Sequence, residues 1–131
     1  MFKETLIIIT IVFIIIIGNI GIQNYISKTS DELVFQLEDL KDKLENIDKT
    51  DNIEELERLS VKIYENWEEV NKKWSILVVH SELDLIELAL IGVKSTIEAN
   101  ELQDTLQEIE KSIFLVEHIK EKENLRLKNI F

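Results

Sequence analysis

The chain of 131 residues has no cysteine, no proline and only three glycines. Without cysteine there are no disulfides, thiolate metal sites, thiol nucleophiles or lipoprotein anchors, which excludes zinc fingers and thiol enzymes. Without proline and with so little glycine, the turns that β-sandwiches and barrels need every ten residues or so lack their usual chemistry. Basic side chains are also scarce, 15 against 26 acidic, for a formal net charge of −11. Such a chain, with no run of basic residues, repels a phosphate backbone and does not release counterions from it, so nucleic acid is not expected as a partner. The remaining composition is that of helices, at a length suited to one domain.

Apolar and charged residues are segregated along the chain. From Thr5 to Ile22 no residue is charged, and 13 of the 18 are Leu, Ile, Val or Phe. Each contributes roughly −0.3 to −0.6 kcal/mol to membrane insertion near a helix centre. Eighteen residues rise about 27 Å, and continuing through Tyr25 and Ile26 gives about 33 Å, against a hydrocarbon core of about 30 Å. A cleaved secretory signal would need small residues at alternate positions, and the stretch Gly18-Asn19-Ile20-Gly21-Ile22-Gln23-Asn24-Tyr25 offers no such pair. Residues 1–27 therefore read as an uncleaved membrane anchor that meets the lipid bilayer through residues 5–26, with Tyr25 at the interface. Lys3 precedes the span, and Lys28 behind it is soon outnumbered by Asp31 and Glu32. This balance predicts a cytoplasmic N-terminus and residues 28–131 outside the cytoplasm. Asn19 is expected to bond water or its own backbone and not a second membrane helix.

Four apolar stripes follow in the acidic remainder. Leu33, Leu37, Leu40, Leu44 and Ile47 form the first, on a helix that starts at Thr29 to Asp31 or runs straight out of the membrane. Thr50, Asp51 and Asn52 offer caps for a second helix, whose stripe of Ile63, Trp67, Val70, Trp74 and Leu77 predicts that it reaches about Val79. Ser81 and Asp84 resemble an acidic capping box, and without Gly or Pro the break before them is a new start or only a kink. Leu83, Ile86, Leu90, Val93 and Ile97 line the third helix, which Asn100 is placed to end in the left-handed region. Leu102, Leu106, Ile109, Ile113 and Val116 line the fourth. Short links make neighbouring helices antiparallel, so the fold expected is all-α: a transmembrane helix followed by an antiparallel bundle or two stacked helical hairpins. Dimerisation through the second helix stays open. After Ile119 the pattern dissolves, and the apolar end is expected to pack back on the bundle in extended form or to dock on a partner.

Few residues suggest chemistry. His80, Asp84 and Glu87, at i, i+4 and i+7, share one helix face and offer a nitrogen and two carboxylates to a metal, with His118 a fourth donor and Glu82 nearby. Neither histidine has a Glu three residues before it, as di-iron bundles require. A polar cluster that fixes the joint between helices two and three is therefore the preferred reading, with no metal and no cofactor. Trp67 and Trp74, seven apart on an apolar stripe, read as core anchors. Ser81 beside His80 does not make a nucleophile, because helix neighbours point about 100° apart and no Gly-x-Ser-x-Gly elbow is present. The chain is not expected to be an enzyme.

Trp67 and Trp74, the run His80-Ser81-Glu82-Leu83-Asp84-Leu85-Ile86-Glu87, the Glu117-His118-Ile119 segment and the closing Asn129-Ile130-Phe131 together resemble a family of small single-pass Firmicute membrane proteins known as a domain of unknown function. The resemblance spans nearly the whole chain. It implies no activity, and it implies an accessory subunit working beside another integral membrane protein in the envelope or spore membrane. The expectation is an interaction module on a membrane anchor, with a metal- or small-ligand-sensing bundle as the alternative.

Overall fold

A computed structural model describes residues 1–47 and 53–130, which fold into four helices: α1 (Phe2–Glu45), α2 (Ile53–Trp74), α3 (His80–Glu98) and α4 (Leu102–Ile130). There is no strand among the described residues. The capping triplet Thr50 to Asn52 lies outside them, as do Phe131 and the side chains of Asn129 and Ile130.

α1 passes from the apolar segment into the bundle without a break. At about 1.5 Å per residue its 44 residues extend about 66 Å. Leu6 to Ile15 are all exposed, whereas Ile26, Leu33, Leu37, Leu40 and Leu44 are buried. The exposed apolar stretch makes α1 the one described helix long and apolar enough to cross a membrane. Ile26, expected in the bilayer, belongs to the core at 1% exposure, and Tyr25 packs against the same core. The protein core thus begins earlier along α1 than the run of uncharged residues suggests.

α2, α3 and α4 complete an up-down-up-down bundle in which each helix packs on its two neighbours, with α4 returning to α1. Paired side chains set the antiparallel register. Along α1 and α4, Lys41 meets Glu110 at 3.3 Å, Asp31 meets Lys120 at 2.7 Å, and Gln23 donates to the Asn124 carbonyl. Lys43 reaches Glu55 between α1 and α2, and Thr105 donates to Thr96 at 2.8 Å between α4 and α3.

The α1–α2 side is packed with aromatics. Trp67 and Trp74 are fully buried and meet edge to face, with ring centroids 5.9 Å apart. The Trp74 indole donates to Thr29 Oγ1 at 3.0 Å, and the Thr29 hydroxyl donates in turn to the Tyr25 carbonyl at 2.8 Å. The Trp67 indole nitrogen is buried with no hydrogen-bond partner among the described residues.

The α3–α4 side is packed with small residues. Ala89 is buried on α3, and a Cβ added to Gly92 would lie 2.7 Å from Glu108 Oε2. The buried line on α4 is Thr105, Ile109, Ser112, Val116 and Ile119, while Leu102, Leu106 and Ile113 are only partly buried. The expected stripe is thus rotated toward two hydroxyl residues. Their oxygens bond within the helix or across to Thr96, so small polar side chains allow the backbones to approach without an orphaned group.

Three local expectations change. α2 ends at Trp74 and not near Val79, because Leu77 and Val78 N–H groups both return to the Trp74 carbonyl and tighten the last turn. Val79, extended at φ −62° and ψ 130°, is the residue that precedes α3, and no side chain caps that helix. Ser81 is therefore inside the first turn and not its cap. The C-terminal residues are helical through Ile130 and not extended. Asn100 does adopt the left-handed conformation, at φ 60°. Its N–H bonds Ile97 and that of Glu101 bonds Thr96, the two bonds of a Schellman motif.

Trp74→Phe removes a satisfied N–H donor and Trp67→Phe an unsatisfied one. In denaturant unfolding of the full chain in detergent, the first should cost about 1 kcal/mol more than the second. Either Trp→Ala change should cost about 3 to 5 kcal/mol. Equal costs for the two phenylalanine variants would show that the Trp74 to Thr29 bond adds no net stability.

Candidate functional site

The five polar residues singled out by sequence occupy separate places. His80 and Asp84 are exposed. Glu82 pairs with Lys122 at 2.7 Å, and the exposed His118 stacks on Phe114 at 6.2 Å between ring centroids. Among the described residues no three His, Asp or Glu side chains converge as metal ligands would. His80, Asp84 and Glu87 do share a helix, but Glu87 turns toward α2, where it accepts a hydrogen bond from Tyr64 at 3.0 Å.

That contact has an electrostatic consequence. The hydrogen bond to Glu87, then burial, then repulsion from Glu87 and Glu68 push the Tyr64 phenol above its ordinary 10.0. The Lys94 ammonium lies over the same ring, 5.4 Å from its centroid. This arrangement ties α2 to α3 at mid-height.

Two surface features stand out from the polar background. The first is on α3, where Leu83, Ile86, Leu90, Val93 and Ile97 are buried while Leu85, Leu88 and Ile91 face outward, Leu88 at 65% exposure. A helix apolar on both faces is normally covered on both. The antiparallel register brings Phe114 of α4, itself 67% exposed, to about the same height as this patch. The near-continuous run Leu85-Ile86-Glu87-Leu88-Ala89-Leu90-Ile91 carried this signal, but attention to the inward stripe alone passes over it. The second is an open groove of about 720 Å³ between α1 and α2, lined by Ser27, Lys28, Asp31, Phe35, Gln36 and Asn66. Phe35 is 72% exposed there, and the Gln36 side-chain oxygen Oε1 is buried with no hydrogen-bond partner among the described residues.

The family model described as a domain of unknown function, DUF4363, matches residues 20–130. The chain belongs to the DUF4363 family. The match begins one turn before Gln23, where α4 first meets α1, so what this DUF4363 chain shares with its family is mainly the bundle. No curated protein and no solved structure matches the chain.

Two outcomes are expected at these residues. Because the phenol is held protonated in the folded state, the stability it contributes is complete below pH 10 and is lost as pH rises through the raised value. Ultraviolet titration should show Glu87→Gln lowering one tyrosine midpoint toward the ordinary range, and an unmoved midpoint would disprove the coupling. Zinc, manganese, iron(II) and calcium should leave the Tm unchanged, whereas a metal bound only by the folded state adds about 2.7 kcal/mol at a hundredfold excess over Kd. His80→Ala should change stability by no more than about 0.5 kcal/mol, as for an exposed side chain outside any network.

Proposed function

We propose that this protein is a membrane-tethered helical module that binds another integral membrane protein through the outer face of α3. The observation that carries the reading is the pairing of two apolar faces on α3 with an anchor helix that enters the bundle unbroken. A module joined to its anchor by one continuous helix holds its side faces at a set angle to the bilayer. Leu85, Leu88 and Ile91 are then presented laterally, where a neighbouring membrane protein stands. In this reading the N-terminus is cytoplasmic, the bundle lies outside the cytoplasm, and the role is that of a non-enzymatic accessory subunit. The Firmicute envelope or spore membrane as its setting rests on the motif resemblance of Trp67, Trp74 and the run from His80 to Glu87. A homodimer through the same face is the competing arrangement. The groove beside Phe35, with its unpaired Gln36 oxygen, favours a second reading in which a small ligand is sensed and reported through the partner.

A photo-crosslinking residue at Leu88, expressed in native membranes, should yield one discrete adduct with a second membrane protein. Leu85→Lys should abolish that adduct and leave the Tm unchanged, because its side chain is exposed. A reporter fused behind α4 should be active only outside the cytoplasm. An adduct of the protein with itself alone would make α3 a homodimer face, and no adduct at all would refute the lateral-binding role.

A further inference from the structure

The inference concerns the end of the bundle nearest the anchor, and it rests on the membrane tether proposed above. α1 has little length to spare between its two environments. Ile26 is in the protein core, and Gln23 is bonded to Asn124 of α4. The part of α1 free to meet lipid thus runs from Thr5 to about Ile22, or about 27 Å, against a hydrocarbon core of about 30 Å. A bilayer that receives this segment uses all of it, and no linker separates the membrane from the bundle. Whatever the bundle displays at that end is held at headgroup depth.

It displays apolar side chains in an otherwise acidic protein. The α2–α3 turn is Ser75-Ile76-Leu77-Val78-Val79, with Ile76 84% and Val79 59% exposed. Leu125 on α4 is 60% exposed. Ile76 and Leu77 line a cleft with Asn19, Ile22 and Gln23 of α1, which fixes the turn at the depth where the lipid-facing part of α1 ends. A groove of about 590 Å³ on the same end is walled by Leu77, Val79 and Leu125 and rimmed by Lys122, Arg126, Glu82 and Glu123.

Charge changes sign here as well. The end of α2, the first turn of α3 and the end of α4 carry Lys72, Lys73, Lys122, Arg126 and Lys128 against Glu69, which pairs with Lys72, and Glu82, Glu121 and Glu123, in a chain of net −11. Glu82 holds Lys122 at 2.7 Å and Glu123 approaches Arg126 at 3.8 Å, yet half or more of each cation's side chain stays exposed. Lys73 lies over the Tyr25 ring, 5.5 Å from its centroid, the pairing of aromatic and cation that suits a membrane interface.

We propose that the base of the bundle is a second membrane-binding surface: Ile76, Val79 and Leu125 insert at the headgroup and acyl boundary, and Lys122, Arg126 and Lys128 bind lipid phosphate. Lipid is the occupant because this surface continues directly from the exposed apolar face of α1 at the same depth. Cations beside apolar side chains complement an anionic headgroup over acyl chain. Docking there fixes the tilt of the bundle at several points beyond the anchor helix itself.

The absence of cysteine makes the test direct. Full-length Ile76→Cys, Val79→Cys and Leu125→Cys, with Phe13→Cys and Gln103→Cys as references, would each carry a nitroxide in phosphatidylcholine vesicles with and without phosphatidylglycerol. Phe13 should collide with oxygen as a lipid-buried site does, Gln103 with a water-soluble nickel chelate, and the three base positions should show an excess of oxygen over nickel collisions. Adding Arg126→Glu and Lys128→Glu should reduce that excess in vesicles containing phosphatidylglycerol. Base positions as accessible to nickel as Gln103, with Phe13 still in lipid, would overturn the second surface and leave the tether intact. Shielding from both reagents would put a second copy on the base and overturn it equally. A water-exposed Phe13 would sink the tether reading and this inference with it.

Discussion

The rest of the structure depends on one helix being solvated in two ways. α1 is apolar on all sides as far as Ile17 and amphipathic from Ile26 onward, and its hydrogen-bond ladder continues through the change. No loop interrupts the helix at this point, and its ladder runs on through Gly18 and Gly21. The bundle is therefore built on the second half of α1 itself. α2 and α4 pack directly on that half, and α3 closes the square opposite α1.

The two sides of the bundle are held by different physics. Between α1 and α2 the spacing is filled by two indoles, large surfaces of the kind that contribute roughly 1.5 to 3 kcal/mol each when a side chain is fully buried. One indole N–H is satisfied through Thr29, and the other is not. Between α3 and α4 the contact runs over short side chains, Ala89, Thr105 and Ser112 buried and Gly92 against the Glu108 side chain. Bulk on one side and short side chains on the other let helices of unequal composition share one core. Filling one side with indoles and the other with short side chains also leaves the outward face of α3 free of any packing duty, so its exposed leucines need another explanation than the core.

The net charge of −11 is likewise distributed by the fold. Carboxylates spread along the sides of the helices, paired here and there with lysine at low energetic worth. The cations gather at the base because α4 runs antiparallel to α1 and carries Arg126 and Lys128 down to the level where the uncharged segment ends. Linear sequence has no basic cluster, yet the tertiary arrangement makes one from the ends of α2 and α4.

Much of this was legible from residue order. The all-α class follows from a chain without proline, and an exposed apolar helix long enough to cross a membrane from eighteen uncharged residues. The stripes of α1, α2 and α3 follow from apolar spacing, because a helix on a core repeats every three or four residues. The left-handed Asn100 was readable too, since few other side chains tolerate that backbone. What sequence alone misjudged were positions decided by a neighbour. Thr105 and Ser112 outrank Leu102 and Leu106 in burial, and Thr105 meets the Thr96 hydroxyl of α3 there. Glu87 leaves His80 for Tyr64 because only the packed bundle brings α2 within reach. Ile26, expected among the lipid-facing residues, lies in the core, at 1% exposure. Periodicity reports which side of a helix is apolar, and it is silent on which helix will stand there; that choice is made by shape and distance between segments remote in sequence, and so belongs to tertiary structure alone.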